Sequence, residues 1–309
     1  MDDPDLERLD SRSAVELTEI DPAPLDDPDA DAVTEEGATS PKSPSSSIFA
    51  STSSTLGLNH GPAFYLLRLQ RYSSYAFTLF TTLHIANTSL IPLLTRSLPA
   101  SDPYLLLTRP LYQSPPLEPL LITAPLALHI ASGLALRLYR RRTALARYGA
   151  HSYKERAALP WPTLSGTSAL GWMLAPLVAG HAFVNRVLPL WYEGGSANVG
   201  LEYVAHGFAR HPWVSGVVYG ALVGVGVWHG TWGWAKWLGL SPEKMGGGEL
   251  GRRERVRRRR IINSIAAAVA GIWMLGGLGI VARGGEASGW LGREYDGLYS
   301  RMPVFGAWY

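Results

Sequence analysis

Cysteine is absent from the 309 residues, so the chain has no disulfide, no thiolate metal site, no cysteine-ligated iron-sulfur cluster and no cysteine nucleophile. Imidazole is the soft ligand that remains. Carboxylates are almost missing from the long apolar stretches, which leaves ion pumping few groups to work with. The signatures of soluble catalysis are missing too: there is no Gly-x-Ser-x-Gly elbow, no His-Glu-x-x-His pair and no phosphate-binding Gly-x4-Gly-Lys-Ser/Thr run. The first residues have neither the basic start and apolar run of a secretory signal nor the basic character of a mitochondrial transit peptide. Membrane targeting is therefore expected to use internal segments.

What is present divides sharply by charge. Residues 1–59 hold 14 Asp or Glu against 3 Lys or Arg, while the rest of the chain holds 25 basic and 11 acidic residues. The first part is rich in Pro, Ser, Thr and Asp and poor in aromatics. It buries too little apolar surface to offset the entropy of ordering, and reads as a disordered acidic tail. Ser40-Pro41 and Ser43-Pro44 within it fit proline-directed kinases, although such dipeptides are common in tails of this kind. The expected organisation is a tail over 1–59, a transmembrane domain over 60–283 and an aromatic C-terminal segment over 284–309.

Five stretches are long and apolar enough to cross a hydrocarbon core of about 30 Å at about 1.5 Å per residue. They lie near 69–94, 117–138, 165–190, 213–238 and 261–282. The fold class is all-α: a polytopic membrane bundle of five transmembrane helices. Residues 95–116, with Pro99, Pro103, Pro110, Pro115 and Pro116, read as an irregular loop, and Gly194-Gly195 and Gly246 to Gly248 as shorter ones. Eighteen basic residues, from Arg68 and Arg71, the 137–156 connection and the 236–260 connection, fall on one side of this topology; seven fall on the other. The positive-inside tendency puts the tail in the cytosol and the C-terminus across the membrane. The run Arg252 to Arg260 abuts a span, so it reads as a headgroup anchor, with anionic lipid as its sharper form, rather than as a nucleic-acid site. Trp290, Tyr295, Tyr299, Phe305, Trp308 and Tyr309 read as an interfacial aromatic belt.

Four of the eight histidines sit one each inside the first four spans: His84, His129, His181 and His229. They repeat in register. His84 and His181 each reach a proline eight residues on, at Pro92 and Pro189; His129 and His229 each reach a glycine four residues on, at Gly133 and Gly233. These offsets mark a duplicated two-helix hairpin forming a four-helix core. Counting helical rise from the flanking charges puts His84 with His181 in one layer and His129 with His229 in another, about 10 Å apart. An imidazole in lipid is a functional-site candidate by default, and three readings fit. The rings hydrogen-bond their neighbours structurally; or each pair ligates a b-type haem from its two faces, Gly133 and Gly233 leaving room for the macrocycle; or they line a path for water or lipid headgroups beside the polar seam of Ser74, Thr78, Thr81 and Thr88.

The run from Arg68 to Pro92, the segment LHIASGLALR at 128–137 and the spacing of His181, Arg186 and Pro189 resemble the transmembrane domain of the fungal mitochondrial outer-membrane adapters called Mcp. A more distant similarity is to the cytochrome b anchors of succinate dehydrogenase and fumarate reductase. The first resemblance implies a five-span protein of the mitochondrial outer membrane. It also implies that Leu17, Ile20, Pro22 and Pro24 form the apolar-x-x-apolar-x-Pro-x-Pro motif that recruits a bridge-like lipid-transfer protein of the vacuolar-protein-sorting type to an organelle contact. Its prolines pre-extend the segment, so little entropy is lost on docking. The resemblance further implies a passive lipid-scrambling role as an option for the membrane domain, for which the seam of Ser74, Thr78, Thr81 and Thr88 is a candidate headgroup path; the balance of the residues is against an enzyme, and that question stays open. The competing class is a di-haem transmembrane cytochrome that transfers electrons.

Overall fold

The structure is a computed structural model that describes residues 60–245, 248–303 and 306–308. Leu17, Ile20, Pro22, Pro24 and the two Ser-Pro sites lie outside the described residues, as do Phe305 and Tyr309. Residues 65–309 form one compact unit. Five helices are long and apolar enough to cross a membrane: α1 (Pro62–Thr95), α3 (Pro119–Arg147), α4 (Gly166–Glu193), α6 (Pro212–Trp237) and α7 (Gly248–Gly277). Shorter helices lie between or after them, the longest being α2 (Leu98–Thr108), α5 (Leu201–Arg210) and α8 (Gly289–Tyr299). The described residues contain no strand. A helix satisfies every backbone N–H and C=O within its own segment, which is the condition for crossing lipid. The spans overrun the apolar windows read from sequence, because helix continues past hydrocarbon into the charged flanks, as at Arg137 to Arg147 in α3.

Three of the spans carry the same local defect; α3 has it at its start, over Pro119–Thr123, with Ala124 donating to the Pro119 carbonyl. In α1 the helix widens to a π turn over Ala86–Leu90, with Ile91 donating to the Ala86 carbonyl; in α4 it widens over Phe183–Val187, with Leu188 donating to the Phe183 carbonyl. Each turn stands just before a buried proline, Pro125 in α3, Pro92 in α1 and Pro189 in α4. Proline has no N–H to offer the preceding turn, and a one-residue widening is a common way to accommodate it. Side chains within two of these turns bond back along the helix: Thr88 Oγ1 donates to the His84 carbonyl at 2.7 Å and Asn185 Nδ2 to the His181 carbonyl at 2.8 Å.

Close packing runs along α4 with α6 and along α6 with α7, where small and β-branched residues let the axes approach: Val223 and Val227 bury against Ala266 and Ala270. The π turn of α1 presses on α7 at Gly276, where the Ser89 backbone occupies the space a Cβ would need, and Ser89 Oγ donates to the Trp273 carbonyl at 2.8 Å. Close backbone approach is otherwise sparse around α1 and α3, which meet through side chains instead.

The basic loops are ordered by their own arginines. Arg71 donates to the Trp237 carbonyl at 3.1 Å, tying the start of α1 to the end of α6. Arg137 donates to the Pro162 carbonyl, and Arg141 donates to the carbonyls of Leu159, Pro160 and Arg156 while lying over the Trp161 ring. The short helix Tyr153–Ala158 between them opens with a capping box, Ser152 with Glu155, whose backbone hydrogen bonds hold the Glu155 carboxyl below the usual range.

At the other end, two sequence expectations are corrected. The 95–116 stretch is not irregular: it contains α2, started by Ser97 accepting from the Ala100 amide, with Pro99 in the first turn, where no N–H is required. The C-terminal aromatics do not all form an interfacial belt. Trp290 is exposed, but Tyr295 and Tyr299 are only 3 % and 5 % exposed. Tyr299 stacks on Tyr203 of α5 at 4.5 Å and donates to the Tyr203 carbonyl at 3.0 Å. Burial first, and then the nearby carboxylates Glu202, Asp102, Glu294 and Glu193, push the Tyr295 phenol far up. His206, fully buried beside them, accepts from the Ala287 amide at Nδ1 and donates from Nε2 to Asp296 at 3.0 Å. With Asp102 accepting from the Leu201 amide and Arg109 donating to the Ser196 and Ala197 carbonyls, α2, α5 and α8 make a polar-stapled cap over this end.

Candidate functional site

The four span histidines converge two by two. His84 of α1 faces His181 of α4 with ring centroids 5.8 Å apart and planes at 75°; His129 of α3 faces His229 of α6 at 6.1 Å and 86°. These are the diagonal pairs the register predicts. Each of the four residues is half-buried inside the bundle. The layers are wider apart than the expected 10 Å. Tyr219 of α6 contacts His181 at 5.6 Å between centroids, and His229 lies ten residues further along the same helix, which is about 15 Å of rise. Flanking charges mark depth poorly here because the helices run past their apolar stretches by different lengths.

The two pairs are held differently. His129 Nδ1 lies 3.1 Å from the Gln70 carbonyl and His229 Nδ1 3.0 Å from the Thr167 carbonyl. A carbonyl only accepts, so in each ring Nδ1 carries the proton and Nε2 keeps its lone pair. The acceptors obey the duplication: Gln70 and Thr167 are 97 residues apart, as are His84 and His181. His84 instead stacks on Phe80, at 5.4 Å and 29°. His181 has Asn185 3.4 Å from its Nδ1, and Asn185 also donates to Tyr219 Oη at 3.2 Å. Among the described residues no hydrogen bond joins the two imidazoles of either pair, and no group of three or more histidine or carboxylate side chains converges on a metal position.

Some partners escaped the sequence. Gln70 and Thr167 act through backbone oxygens, which leave no side-chain signature, although the 97-residue offset of the first helix of each hairpin pairs them. Gly171 was also missed: a Cβ there would meet His229 Cε1 at 2.9 Å, so this glycine lets the imidazole lie flat against α4. The glycines singled out beforehand behave unequally. A Cβ on Gly133 would meet the Gln70 side chain at 2.8 Å, whereas Gly233 has nothing within 4 Å.

Ser74, Thr78, Thr81 and Thr88 line α1 as expected and are all half-buried. Each spends its proton on its own helix, donating to the carbonyls of Arg71, Ser74, Phe77 and His84 at 2.7 to 3.0 Å. The seam thus offers oxygen lone pairs rather than free donors. Near the capped end, Arg186 closes a two-point ion pair on Glu118, at 2.7 Å and 2.5 Å, and donates to Ser196 Oγ. This staple joins the start of α3 to the end of α4.

A five-span helical membrane protein built on a duplicated hairpin, with one imidazole contributed by each core helix, is the class these features define. Residues 176–286 match the transmembrane domain of MDM10-complementing protein 1, the Mcp family that the first-span run resembles. The matched region takes in the second hairpin from the middle of α4, with His181 and His229, and all of α7. No curated protein and no solved structure matches the chain.

Proposed function

We propose that the chain is a mitochondrial outer-membrane adapter whose acidic tail faces the cytosol and recruits a bridge-like lipid-transfer protein to an organelle contact, supporting lipid homeostasis. The match of 176–286 to the MDM10-complementing protein 1 transmembrane domain carries this reading. Charge supports it. The tail runs in sequence into Arg68 and Arg71, on the side of the topology that holds most of the basic residues, and on α7 a surface concavity lined by Arg252, Arg253, Arg257, Arg260, Val256 and Ile261 suits phosphate headgroups lying over apolar chains. In the tail, Leu17, Ile20, Pro22 and Pro24 are the docking residues, Leu17 and Ile20 as apolar anchors on a segment the prolines keep extended.

Recruitment tests this directly. Pro22→Ala with Pro24→Ala should weaken co-recruitment of the lipid-transfer protein in cells about tenfold or more, the effect of losing about 1.4 kcal/mol, with membrane insertion unchanged. Recruitment at the unmodified level would overturn the role of the motif. Scrambling is the second half of the proposal: the lone pairs of Ser74, Thr78, Thr81 and Thr88 accept from water or a headgroup amine passing along α1. In proteoliposomes carrying a fluorescent lipid, the purified chain should equilibrate the leaflets, and Thr78→Val with Thr81→Val should slow this severalfold. An unchanged rate removes the seam as the path.

A further inference from the structure

We propose that each imidazole pair is the axial ligand set of one b-type haem, giving two haems per chain, with His129 and His229 as the more firmly fixed site. Two imidazoles on opposite faces of one metal, each bonded at about 2 Å, stand with ring centroids about 6 Å apart once the ring radii of about 1 Å are added. The two pairs, on four different helices, stand at 5.8 Å and 6.1 Å. A direct hydrogen bond within a pair would account for such proximity, and neither pair has one.

The donor set selects the kind of ligand. A bare cation bound by imidazole needs four or more ligands, and among the described residues no third histidine or carboxylate joins either pair. The remaining ligands must therefore arrive with the metal, as the four nitrogens of a porphyrin do. Close backbone packing lies on α4, α6, α7 and the last part of α1, whereas Pro62–Ile85 of α1, which carries His84, and α3, which carries His129, make little of it, so the two sides of each pair are not locked backbone to backbone.

Second, the tautomers are set. A metal-ligating histidine almost always donates its other ring N–H to a carbonyl, carboxylate or water, which orients the ring and raises its basicity. Gln70 and Thr167 supply such a carbonyl to His129 and His229, at positions equivalent under the duplication. Gly171 gives His229 its room. In the other layer His84 rests on Phe80 and His181 on Tyr219 without a carbonyl acceptor at Nδ1, so that pair is held by packing and binds its haem less firmly.

This inference stands apart from recruitment by the tail, because haem content and recruitment are read separately. The test uses the full chain, expressed with haem precursor and purified in mild detergent. Two haems per chain should be measured by pyridine haemochrome, with a sharp reduced band and no reaction with carbon monoxide, as six-coordinate iron requires. His84→Ala and His129→Ala should each lower the content from two to one, and together to none, with unchanged size-exclusion profiles. His129→Met, which retains an axial ligand, should keep both haems and raise the potential of one; this arm stays informative if an alanine variant fails to fold. A chain purified without haem, haem content indifferent to these substitutions, or carbon monoxide binding by the unsubstituted protein, the mark of an adventitious haem only, would each overturn the assignment.

Discussion

An imidazole deep in a bilayer is tolerated only where its nitrogens find partners, and the four span histidines solve this in two ways. His129 and His229 give their Nδ1 protons to carbonyls of a neighbouring helix, and the approach of His229 depends on the missing side chain at Gly171. Gly171→Ala should therefore cost about 1–3 kcal/mol, the usual range for overpacking a filled site, and lower the thermal midpoint of the detergent-purified protein by several degrees. Gly180→Ala, on the same helix with nothing within 4 Å, should leave the midpoint unchanged or raise it slightly, since alanine is the better helix former. Equal midpoints for the two variants would show that His229 can move aside freely. The histidine pairing was legible in the sequence because identical side chains repeat at 97 and 100 residues. The carbonyls that orient two of the rings were not, since any residue type can present a backbone oxygen.

Single helices were legible wherever apolar length decided the outcome and were missed where tertiary contact did. All five spans follow from runs of apolar residues. By contrast α2, seeded with prolines, forms because Pro99 falls in a first turn, where proline costs nothing, and because Asp102 and Arg109 are engaged by backbone groups of the segment around Ser196 to Leu201. Tyr295 and Tyr299 look interfacial in the sequence and are buried because α5 presents Tyr203 to them. The π turns belong to this scale as well: each stands just before a buried proline, and the one in α1 brings the Ser89 backbone onto Gly276 of α7. Gly276→Val should separate α1 from α7 at a cost of about 1–3 kcal/mol or more. Faster tryptic cleavage in native membranes would report it, whereas Gly271→Ala, with open space around its Cβ position, should cleave at the unmodified rate. The Arg186 to Glu118 staple invites a milder test. Both side chains are about a quarter exposed, so part of the attraction is screened by solvent, and Glu118→Gln should cost about 1 kcal/mol while Glu118→Gln with Arg186→Gln costs little more. Additive losses in that double-mutant cycle would mean that the two residues act independently.

For the molecule as a whole, two ends of unlike chemistry follow from the arrangement of the spans. One end gathers Arg71, the 137–156 connection and the α7 arginines, with Arg71, Arg137 and Arg141 donating to carbonyls of Trp237, Pro162 and Leu159. The other is closed by α2, α5 and α8 around a core of stacked tyrosines. The adapter reading requires the basic end to share the cytosolic side with the tail, and the lack of cysteine makes this directly measurable, because a single introduced thiol is the chain's only one. Lys154→Cys and Glu243→Cys lie at exposed positions of the basic end, and Ser288→Cys at an exposed position beside the cap. With a membrane-impermeant maleimide on intact mitochondria, Ser46→Cys in the tail, Lys154→Cys and Glu243→Cys should label at once, and Ser288→Cys only after detergent permeabilises the outer membrane. The reverse pattern would place the tail out of reach of any cytosolic lipid-transfer protein, and adapter function would fall with it, whereas haem ligation inside the bundle would be untouched. Labelling at all four positions without detergent would mean that residues 284–309 return to the cytosolic side, which five spans do not permit.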